Sequence, residues 1–196
     1  MKHYIELTLL HNTELPANFL LQKVYTKLHF KFANLKSTDN LQPVGISFPR
    51  YEINVGLGIT TGLGDKIRLF SEDEQVLVDF NVTDVLSELV DYVHISDIQQ
   101  VPEKVSYGHY RRVQVQSNMI RVARRKAKRE GITLEEATER LSQFEETHTS
   151  LPFINLGSKS TNQHFKLFVY CERVKDKAVG AFSTYGLSAS STVPIF

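Results

Sequence analysis

Five basic side chains within residues 117–130 recur at positions i, i+3, i+4, i+7 and i+8, which places them on one face of a helix. They are Arg121, Arg124, Arg125, Lys128 and Arg129. Ser117 or Asn118 can cap the N-terminus of this helix, and Gly131 can close its C-terminus. Because a guanidinium group matches the geometry of a phosphate, this face predicts binding to a nucleic-acid backbone.

The distribution of charge favours a polyanionic ligand over an ordinary solvated helix. No Asp or Glu occurs from Lys104 through Arg129, whereas a solvated helix usually interleaves acidic with basic residues. This window holds nine of the 23 Lys and Arg residues, so 14 basic and 22 acidic residues remain elsewhere, a net charge of −8. Such concentrated positive charge predicts a polyanionic partner, with a solvated charged face as the alternative.

Two further side chains have the chemistry to read nucleotide bases. Residues 105–115 are predicted to be extended, and Arg112 and Gln114 are two positions apart within them. Side chains at that spacing share one face of a β-strand. Arginine pairs with the Hoogsteen edge of guanine and glutamine with that of adenine, so this face is a candidate for base recognition. Ordinary solvent-facing side chains are the alternative interpretation.

His29 is a candidate for proton transfer, and it lies near the end of a predicted amphipathic helix. This helix begins at Pro16 and continues to about Phe32. An imidazole titrates near neutral pH and can act as a general base, but a lone histidine on an apolar helix is more often structural. The helical pattern alone leaves both interpretations open.

The elements that must position these residues predict an α+β fold. In the first half of the chain the patterns follow the order β-α-β-β-α-β, which is that of the ferredoxin-like arrangement. The pattern changes near Pro102, so we expect a ferredoxin-like domain at 1–98 and a second domain at 99–196 that carries the arginine-rich helix. Capping boxes are predicted at residues 71–74 and 133–136, and further strands at 151–156 and 166–171.

The glycine-rich segment at 56–64 could be taken for a phosphate-binding loop. Such a loop needs a helix N-terminus directly after it, whereas residues 66–70 alternate as a strand does. We therefore predict a hairpin loop.

Composition limits the class of protein. Hydrophobic residues make up 41% of the 196 residues, enough for a substantial core. No apolar run approaches the roughly 18 residues that a membrane span needs, and the polar start is not a signal peptide, so we expect no membrane partner. The single cysteine, Cys171, fits a cytoplasmic protein without an internal disulfide. No CxxC or HExxH motif is present, and we expect no metal or other cofactor.

Several short motifs resemble, in order and spacing, the CRISPR-associated endoribonucleases of type I-F systems, the Csy-type enzymes that cut precursor CRISPR RNA at its repeats. The resemblance covers nearly the whole chain, and the order of the motifs makes it specific. The motifs are His-Tyr at 3–4, Lys-Leu-His29, Gly-Ile-Ser-Phe-Pro at 45–49, Arg-Val-Gln-x-x-Ser-Asn at 112–118, the arginine-rich helix, Ser-x-Ser-Thr-x-Gln-His-Phe at 158–165, Tyr-Gly-Leu-Ser at 185–188 and the terminal Val-Pro-x-Phe.

The resemblance implies a catalytic site in which His29 is the catalytic histidine. Ser158 would hold the attacking 2′-hydroxyl, and Tyr185 would position the histidine. Ser160 and Thr161 would contact the region of the scissile phosphate. The reaction would need no metal and would yield a 2′,3′-cyclic phosphate and a 5′-hydroxyl.

The resemblance also implies an RNA-binding domain at 99–196 that grips the repeat hairpin. Arg112 and Gln114 would read the lowest base pairs of the stem, and Phe165 would stack beneath the last pair. The arginine-rich helix would lie in the major groove, where Arg124, Arg125, Lys128 and Arg129 would contact phosphates. The enzyme would retain its product and join other subunits of a surveillance complex.

Two positions depart from the family pattern, and two other functions stay open. Glu130 stands where the family can carry a basic residue. The glycine-rich segment 51–64 is longer than expected, which suggests a contact with a partner subunit. A non-cleaving RNA-binding or ribosome-associated protein would need the basic helix without His29, Ser158 and Tyr185. A DNA-binding helix would also favour arginine, but without a site that handles a 2′-hydroxyl.

Overall fold

The structure is a computed structural model that describes residues 1–11, 13–36, 39–53, 62–115, 119–141, 149–157 and 164–196. Contacts divide the chain into two compact units. The larger unit comprises Met1–Val113 and Leu151–Phe196, and the smaller one comprises Gln114–Ser150. Both helices and strands are present, so the predicted α+β class is confirmed.

The first sheet of the larger unit is antiparallel. Its strands are β1 (His3–Leu9), β3 (Gly45–Ser47), β4 (Lys66–Ser71), β5 (Val93–Ile95) and β6 (Gln99–Gln100). They lie in the order β3-β4-β1-β5, and β6 also pairs with β1. In β1, Ile5, Leu7 and Leu9 are buried at alternate positions, as the sequence pattern predicts for a strand with one face against a core.

The described residues of this part of the chain form three α-helices, α1 (Ala17–Leu35), α2 (Glu74–Phe80) and α3 (Val82–Val85), and a short 3-10 helix at Ser87–Leu89. Helix α1 buries Leu21, Val24, Leu28 and Phe32 at helical spacing, which confirms the predicted amphipathic helix. The capping box predicted at 71–74 is wrong. Strand β4 extends to Ser71, and the side chain of Asp73 caps α2 by accepting a hydrogen bond from the Gln75 amide.

The second sheet of the larger unit has four antiparallel strands. They are β7 (Ser106–Val113), β8 (Phe153–Gly157), β9 (His164–Val174) and β11 (Val193–Ile195), in the order β11-β7-β9-β8. A separate pair joins β2 (Leu41–Gln42) to β10 (Phe182–Ser183). The strands predicted within 105–115, 151–156 and 166–171 are therefore present, with β9 longer than expected at both ends.

Residues from both halves of the sequence contribute to one continuous hydrophobic core in the larger unit. The hydroxyl of Tyr110 on β7 donates to the carbonyl of Phe48, 3.1 Å away. A Cβ atom on Gly45 would lie 2.6 Å from Val193 Cγ1, so β3 approaches β11 too closely for any side chain at this position. The division into two domains at about residue 98 stays a prediction. The two compact units have their boundaries elsewhere, after Val113 and after Ser150.

The smaller unit contains α4 (Met119–Glu130) and α5 (Leu134–Glu139), which pack against each other. Gly131 has a φ of +68° and ends α4, as predicted. The predicted capping box at Thr133 and Glu136 is present with both of its hydrogen bonds. Ser117 and Asn118, the predicted N-terminal caps of α4, lie outside the described residues.

Candidate active site

The Tyr-Gly-Leu-Ser motif forms a tight turn after β10. The Gly186 amide donates to the carbonyl of Ser183 at 2.8 Å, and the Ser183 amide donates to the carbonyl of Leu187 at 2.9 Å. Gly186 adopts a φ of +70°, a conformation that residues with a side chain rarely take. This geometry presents the carbonyls of Thr184 and Tyr185 on the surface of the turn that faces α1.

Close packing also requires glycine at position 186. A Cβ atom there would lie 2.7 Å from Ile46 Cγ1 and 3.2 Å from Phe32 Cε2. The Ile46 amide donates to the Gly186 carbonyl at 2.9 Å, which fastens the turn to β3. The turn therefore has little freedom to move relative to α1 and the first sheet.

His29 on α1 lies against this turn. Its Nδ1 is 2.7 Å from the carbonyl oxygen of Thr184, and its ring stacks on the ring of Tyr185 with centroids 4.5 Å apart and planes 3° apart. A carbonyl oxygen can only accept a hydrogen bond, so Nδ1 carries the proton. In the neutral ring Nε2 then keeps its lone pair and can accept a proton.

The protonation of His29 is set mainly by burial. Partial burial of the imidazole lowers the pKa of His29 below its usual value, the Thr184 carbonyl opposes this, and the nearby charge of Arg112 lowers the pKa further. The side chain is therefore mostly neutral at neutral pH, which is the form that a general base requires.

Two buried polar side chains hold the turn from behind, and the sequence analysis missed both. The Tyr25 hydroxyl donates to the Tyr185 carbonyl at 2.6 Å, and Gln42 Nε2 donates to the Ser183 carbonyl at 3.0 Å. Burial raises the pKa of Tyr25, which keeps its hydroxyl protonated as a donor. Tyr25 precedes His29 by four positions and so shares its helix face, a signal that was present in the sequence.

Arg112 and Phe165 lie beside the same tyrosine. The Arg112 guanidinium carbon is 5.1 Å from the centroid of the Tyr185 ring and 5.4 Å from that of Phe165. The two rings meet edge to face at 6.4 Å. The fold thus brings together His29, Arg112, Phe165 and Tyr185, four of the predicted site residues that are far apart in the chain.

Other predicted site residues lie elsewhere or cannot be placed. Ser158, Ser160 and Thr161 lie outside the described residues, as does the side chain of Arg121. Gln114 is exposed, but β7 ends at Val113, so the prediction that Gln114 shares a strand face with Arg112 is wrong. Gln114 is the first residue after β7 and the first residue of the smaller unit.

Helix α4 presents the predicted basic face. Arg124, Arg125, Lys128 and Arg129 are exposed, whereas Ala123 is fully buried. Ile120, three positions before Ala123 and therefore on the same side of the helix, is 53% exposed. Glu130 forms ion pairs with Arg129 at 3.1 Å and with Arg140 at 3.3 Å, so its charge is compensated within this unit.

The described residues contain neither a metal-binding cluster nor a membrane-spanning helix. Within the described ranges, no group of three or more His, Cys, Asp or Glu side chains is arranged to hold a metal ion. Among the helices of these ranges, none is both long and apolar enough to cross a membrane.

Comparison with known proteins decides the family. Residues 4–196 match the family described as CRISPR-associated protein (Cas_Csy4). The chain belongs to this family. It is similar to the CRISPR-associated endonuclease Cas6/Csy4 of Escherichia coli (strain UTI89 / UPEC), with 36% identity over 197 residues and 100% of both chains covered. The protein of the same name from Pseudomonas aeruginosa (strain UCBPP-PA14) is 30% identical over 199 residues, again with 100% of both chains covered.

Membership of the Cas_Csy4 family confirms the resemblance inferred from the motifs. The match extends over both compact units, so the turn at residues 183–187 and the basic helix α4 both lie within it.

Proposed function

We propose that the chain is an endoribonuclease that cleaves precursor CRISPR RNA at the base of each repeat hairpin. Its relatives are named CRISPR-associated endonucleases, which supports this substrate class. The observation that carries the proposal is the fixed and neutral imidazole of His29, with Nδ1 bonded to Thr184 and the ring stacked on Tyr185. A general base held in one tautomer is what proton abstraction from a hydroxyl requires.

The proposed reaction uses the nucleophile that RNA itself carries. The 2′-oxygen attacks the adjacent phosphorus, the bond from phosphorus to the 5′-oxygen breaks, and the products are a 2′,3′-cyclic phosphate and a 5′-hydroxyl. One proton leaves the 2′-hydroxyl and one proton reaches the 5′-oxygen. The protein therefore needs to align the reacting atoms and move two protons, and this chemistry does not demand a metal ion.

In this proposal His29 Nε2 acts as general base and accepts the proton of the 2′-hydroxyl. It serves either as base alone or as base and then as the acid that protonates the 5′-oxygen. Ser158 orients that hydroxyl, while Ser160 and Thr161 contact the phosphate region. Tyr185 acts through its ring, which covers one face of the imidazole and restricts its rotation. The Arg112 guanidinium lies close enough to the ring pair to contribute positive charge near the reacting phosphate.

The same cluster can hold the lower end of the stem. Phe165 is half-buried and lies beside Arg112, so its exposed portion can stack beneath the last base pair. Arg112 and Gln114 would then read the lowest pairs of the stem through their base edges. Both side chains are exposed, as base contacts require.

The affinity for the hairpin is assigned to α4. Arg124, Arg125, Lys128 and Arg129 carry four exposed positive charges on a 12-residue helix. Each phosphate contact displaces condensed counterions, so binding of this kind is strong at low salt. Tight binding of the stem would also keep the hairpin bound after cleavage, and a retained hairpin would anchor the protein to other subunits of a surveillance complex.

The ferredoxin-like arrangement of residues 1–98 belongs to the same proposal. If β1, β3, β4 and β5 are numbered 1 to 4 in chain order, they lie in the sheet in the order 2-3-1-4. All neighbouring strands are antiparallel. Helices α1 and α2 follow the first and third of these strands, which supports the β-α-β-β-α-β unit. The glycine-rich segment 51–64 is proposed to contact a partner subunit. Within it, the Glu52 amide donates a hydrogen bond to the Gly62 carbonyl, 3.1 Å away.

The proposal is tested by incubating the protein with repeat hairpin RNA, and with its DNA counterpart, in the presence of a chelator. We expect one cut at the base of the RNA stem, a cyclic phosphate on the upstream product and no cut in DNA. A non-cleaving RNA-binding protein, the alternative that α4 alone would support, would shift the RNA on a native gel and leave it intact. Equal affinity for both hairpins without cleavage would favour a DNA-binding protein.

A further inference from the structure

The four-stranded sheet has one buried and one solvent-facing side. Ile154, Leu156, Leu167 and Val169 point into the core and are at most 2% exposed. Alternation along the strands puts their neighbours on the opposite side. We call this side the outer face, and its central residues are Arg111, Phe153, Lys166, Phe168 and Tyr170.

On the outer face, aromatic rings alternate with positive charges. The ammonium nitrogen of Lys166 lies 4.2 Å from the centroid of the Phe153 ring, and Phe153 meets Phe168 at 5.4 Å. The Arg111 guanidinium carbon lies 4.8 Å from the centroid of the Tyr170 ring. Phe153 is 41% exposed, which is a large fraction for a phenylalanine. A polar residue could occupy this solvated position, so the exposed ring indicates a binding surface.

We propose that the outer face binds unpaired RNA that adjoins the repeat hairpin. Proteins hold single strands by stacking bases on aromatic rings and guanidinium planes while basic groups neutralise the backbone, and the outer face offers both. A duplex hides the flat faces of its bases, so this surface suits unpaired nucleotides. Its only acid among strands β7, β8 and β9 is Glu172, which lies beyond Tyr170 towards the end of β9.

The position of the outer face fits this ligand, and here the inference rests on the proposed function. Arg111 and Arg112 are consecutive on β7, and their side chains point to opposite sides of the sheet. Phe165 and Lys166 are related in the same way on β9. The outer face therefore lies on the other side of the sheet from the residues assigned to the base of the stem, and an RNA strand that leaves the stem can reach it around the edge strand β8.

A protein partner is the competing occupant, and charge decides between the two. Both cation–ring pairs keep a positive group on the surface, which opposes burial against an apolar protein face. The phosphates of a nucleic acid complement these groups.

The test measures binding of full-length protein to a repeat hairpin in which the nucleotide before the scissile phosphate is 2′-deoxy, so that the RNA stays intact. The hairpin is used bare, or with ten unpaired nucleotides on its 5′ or its 3′ side, and the ten-nucleotide strand is also measured alone. The variant is Phe153→Ala with Lys166→Ala. Phe19→Ala with Lys23→Ala is the matched control, because Lys23 lies 5.2 Å from the exposed Phe19 ring on α1.

We expect one of the two extensions to raise affinity about tenfold over the bare hairpin, the size of effect that one or two stacked bases give. The Phe153/Lys166 variant should lose this advantage and bind the bare hairpin as wild type does, while the Phe19/Lys23 control keeps it. Arg111→Gln with Lys166→Gln leaves every ring in place, and should reduce the advantage and its salt dependence. Because this second variant keeps the packing of the rings, its loss of affinity reports a lost contact and not a lost fold. Thermal unfolding of each variant checks that the fold is intact.

Two results would overturn the inference. The first is that neither extension raises the affinity of the wild-type protein. The second is that the advantage persists unchanged in both variants, which would leave the outer face to a protein partner. Failure of the bare hairpin to bind would contradict the proposed function instead. The isolated ten-nucleotide strand would then still test the outer face, because wild type should bind it more tightly than the Phe153/Lys166 variant does.

Discussion

The turn at residues 183–187 and the basic face of α4 are built on opposite principles. The turn is held by buried donors from three other elements, and a glycine with positive φ fits against Ile46 and Phe32. The basic face of α4 consists of long, exposed side chains, and Ala123 of the same helix is buried. A rigid site suits proton transfer, where geometry sets the rate, and a flexible charged face suits phosphate binding, where summed charge sets the affinity.

This contrast predicts that rate and affinity can be changed separately. Variants of the turn and of His29 should slow cleavage of bound RNA, and variants of α4 should weaken binding without slowing cleavage at saturation.

His29→Ala should slow cleavage of saturating hairpin RNA by about 10²–10⁴-fold, because a general base contributes roughly this factor. Hairpin affinity should change little. The measurement is single-turnover cleavage together with filter binding. His109→Ala is the matched control, because His109 also bonds a backbone carbonyl through Nδ1, that of Ser191 at 3.0 Å. Its side chain lies on the opposite side of β7 from Arg112. A similar loss of rate in both variants would remove His29 from the reaction.

Replacing Arg124, Arg125, Lys128 and Arg129 together by Ala should weaken hairpin binding on the order of 10²–10³-fold at 0.1 M salt and reduce the slope of log affinity against log salt by about 4. Cleavage at saturating RNA should stay near the wild-type rate. The control for general loss of charge replaces the three lysines of α1 (Lys23, Lys27 and Lys31) and Lys36, which directly follows the helix. Equal losses in both variants would show that α4 has no special role.

These two regions also differ in how far the sequence could predict them. Helix α4, its C-terminal glycine and the capping box of α5 are local patterns, and the structure confirms each of them. The contact of His29 with Thr184 joins residues 155 positions apart and uses a backbone carbonyl, which no side-chain pattern reveals. Only the family resemblance connected His29 to Tyr185, and the supporting roles of Tyr25 and Gln42 became visible in the fold.

The limits of periodicity appear at Gln114 as well. Alternation predicts a shared face for positions 112 and 114 only while the strand continues, and β7 ends between them. The capping box predicted at Ser71 fails for a similar reason. Pairing of Ser71 with His3 extends β4 by one residue and delays the start of α2.

Gly186→Ala should lower cleavage of bound RNA by about 10–10²-fold and reduce stability, because a displaced turn shifts the Thr184 carbonyl away from His29. Gly131→Ala is a matched control with nearly the same φ of +68°, but no atom lies within 4 Å of the added Cβ. It should show only backbone strain of about 1–2 kcal/mol and a normal rate. Thermal unfolding and single-turnover rates together separate the two effects, and equal rates would contradict a rigid turn.

Arg112→Ala should shift the acid limb of the cleavage profile to higher pH. Protonated His29 cannot accept a proton, so the rate rises with pH up to the pKa of His29. The positive charge of Arg112 helps to lower this pKa, and its removal raises it. Gln114→Ala is the control, since it removes a proposed base contact without removing charge. Both variants should lose about tenfold in preference for the cognate stem, and an unmoved acid limb in Arg112→Ala would place the arginine away from the imidazole.

The central claim is that the RNA supplies its own nucleophile and that His29 activates it. The most direct test is a repeat hairpin with a single 2′-deoxy nucleotide immediately upstream of the scissile phosphate, incubated with the wild-type protein. The account predicts binding equal to that of the all-RNA hairpin and no cleavage at the normal position, because the attacking oxygen is missing. Cleavage of the deoxy hairpin at the normal rate and position would mean that water or another group attacks the phosphorus, and the roles proposed for His29 and Ser158 would both be contradicted.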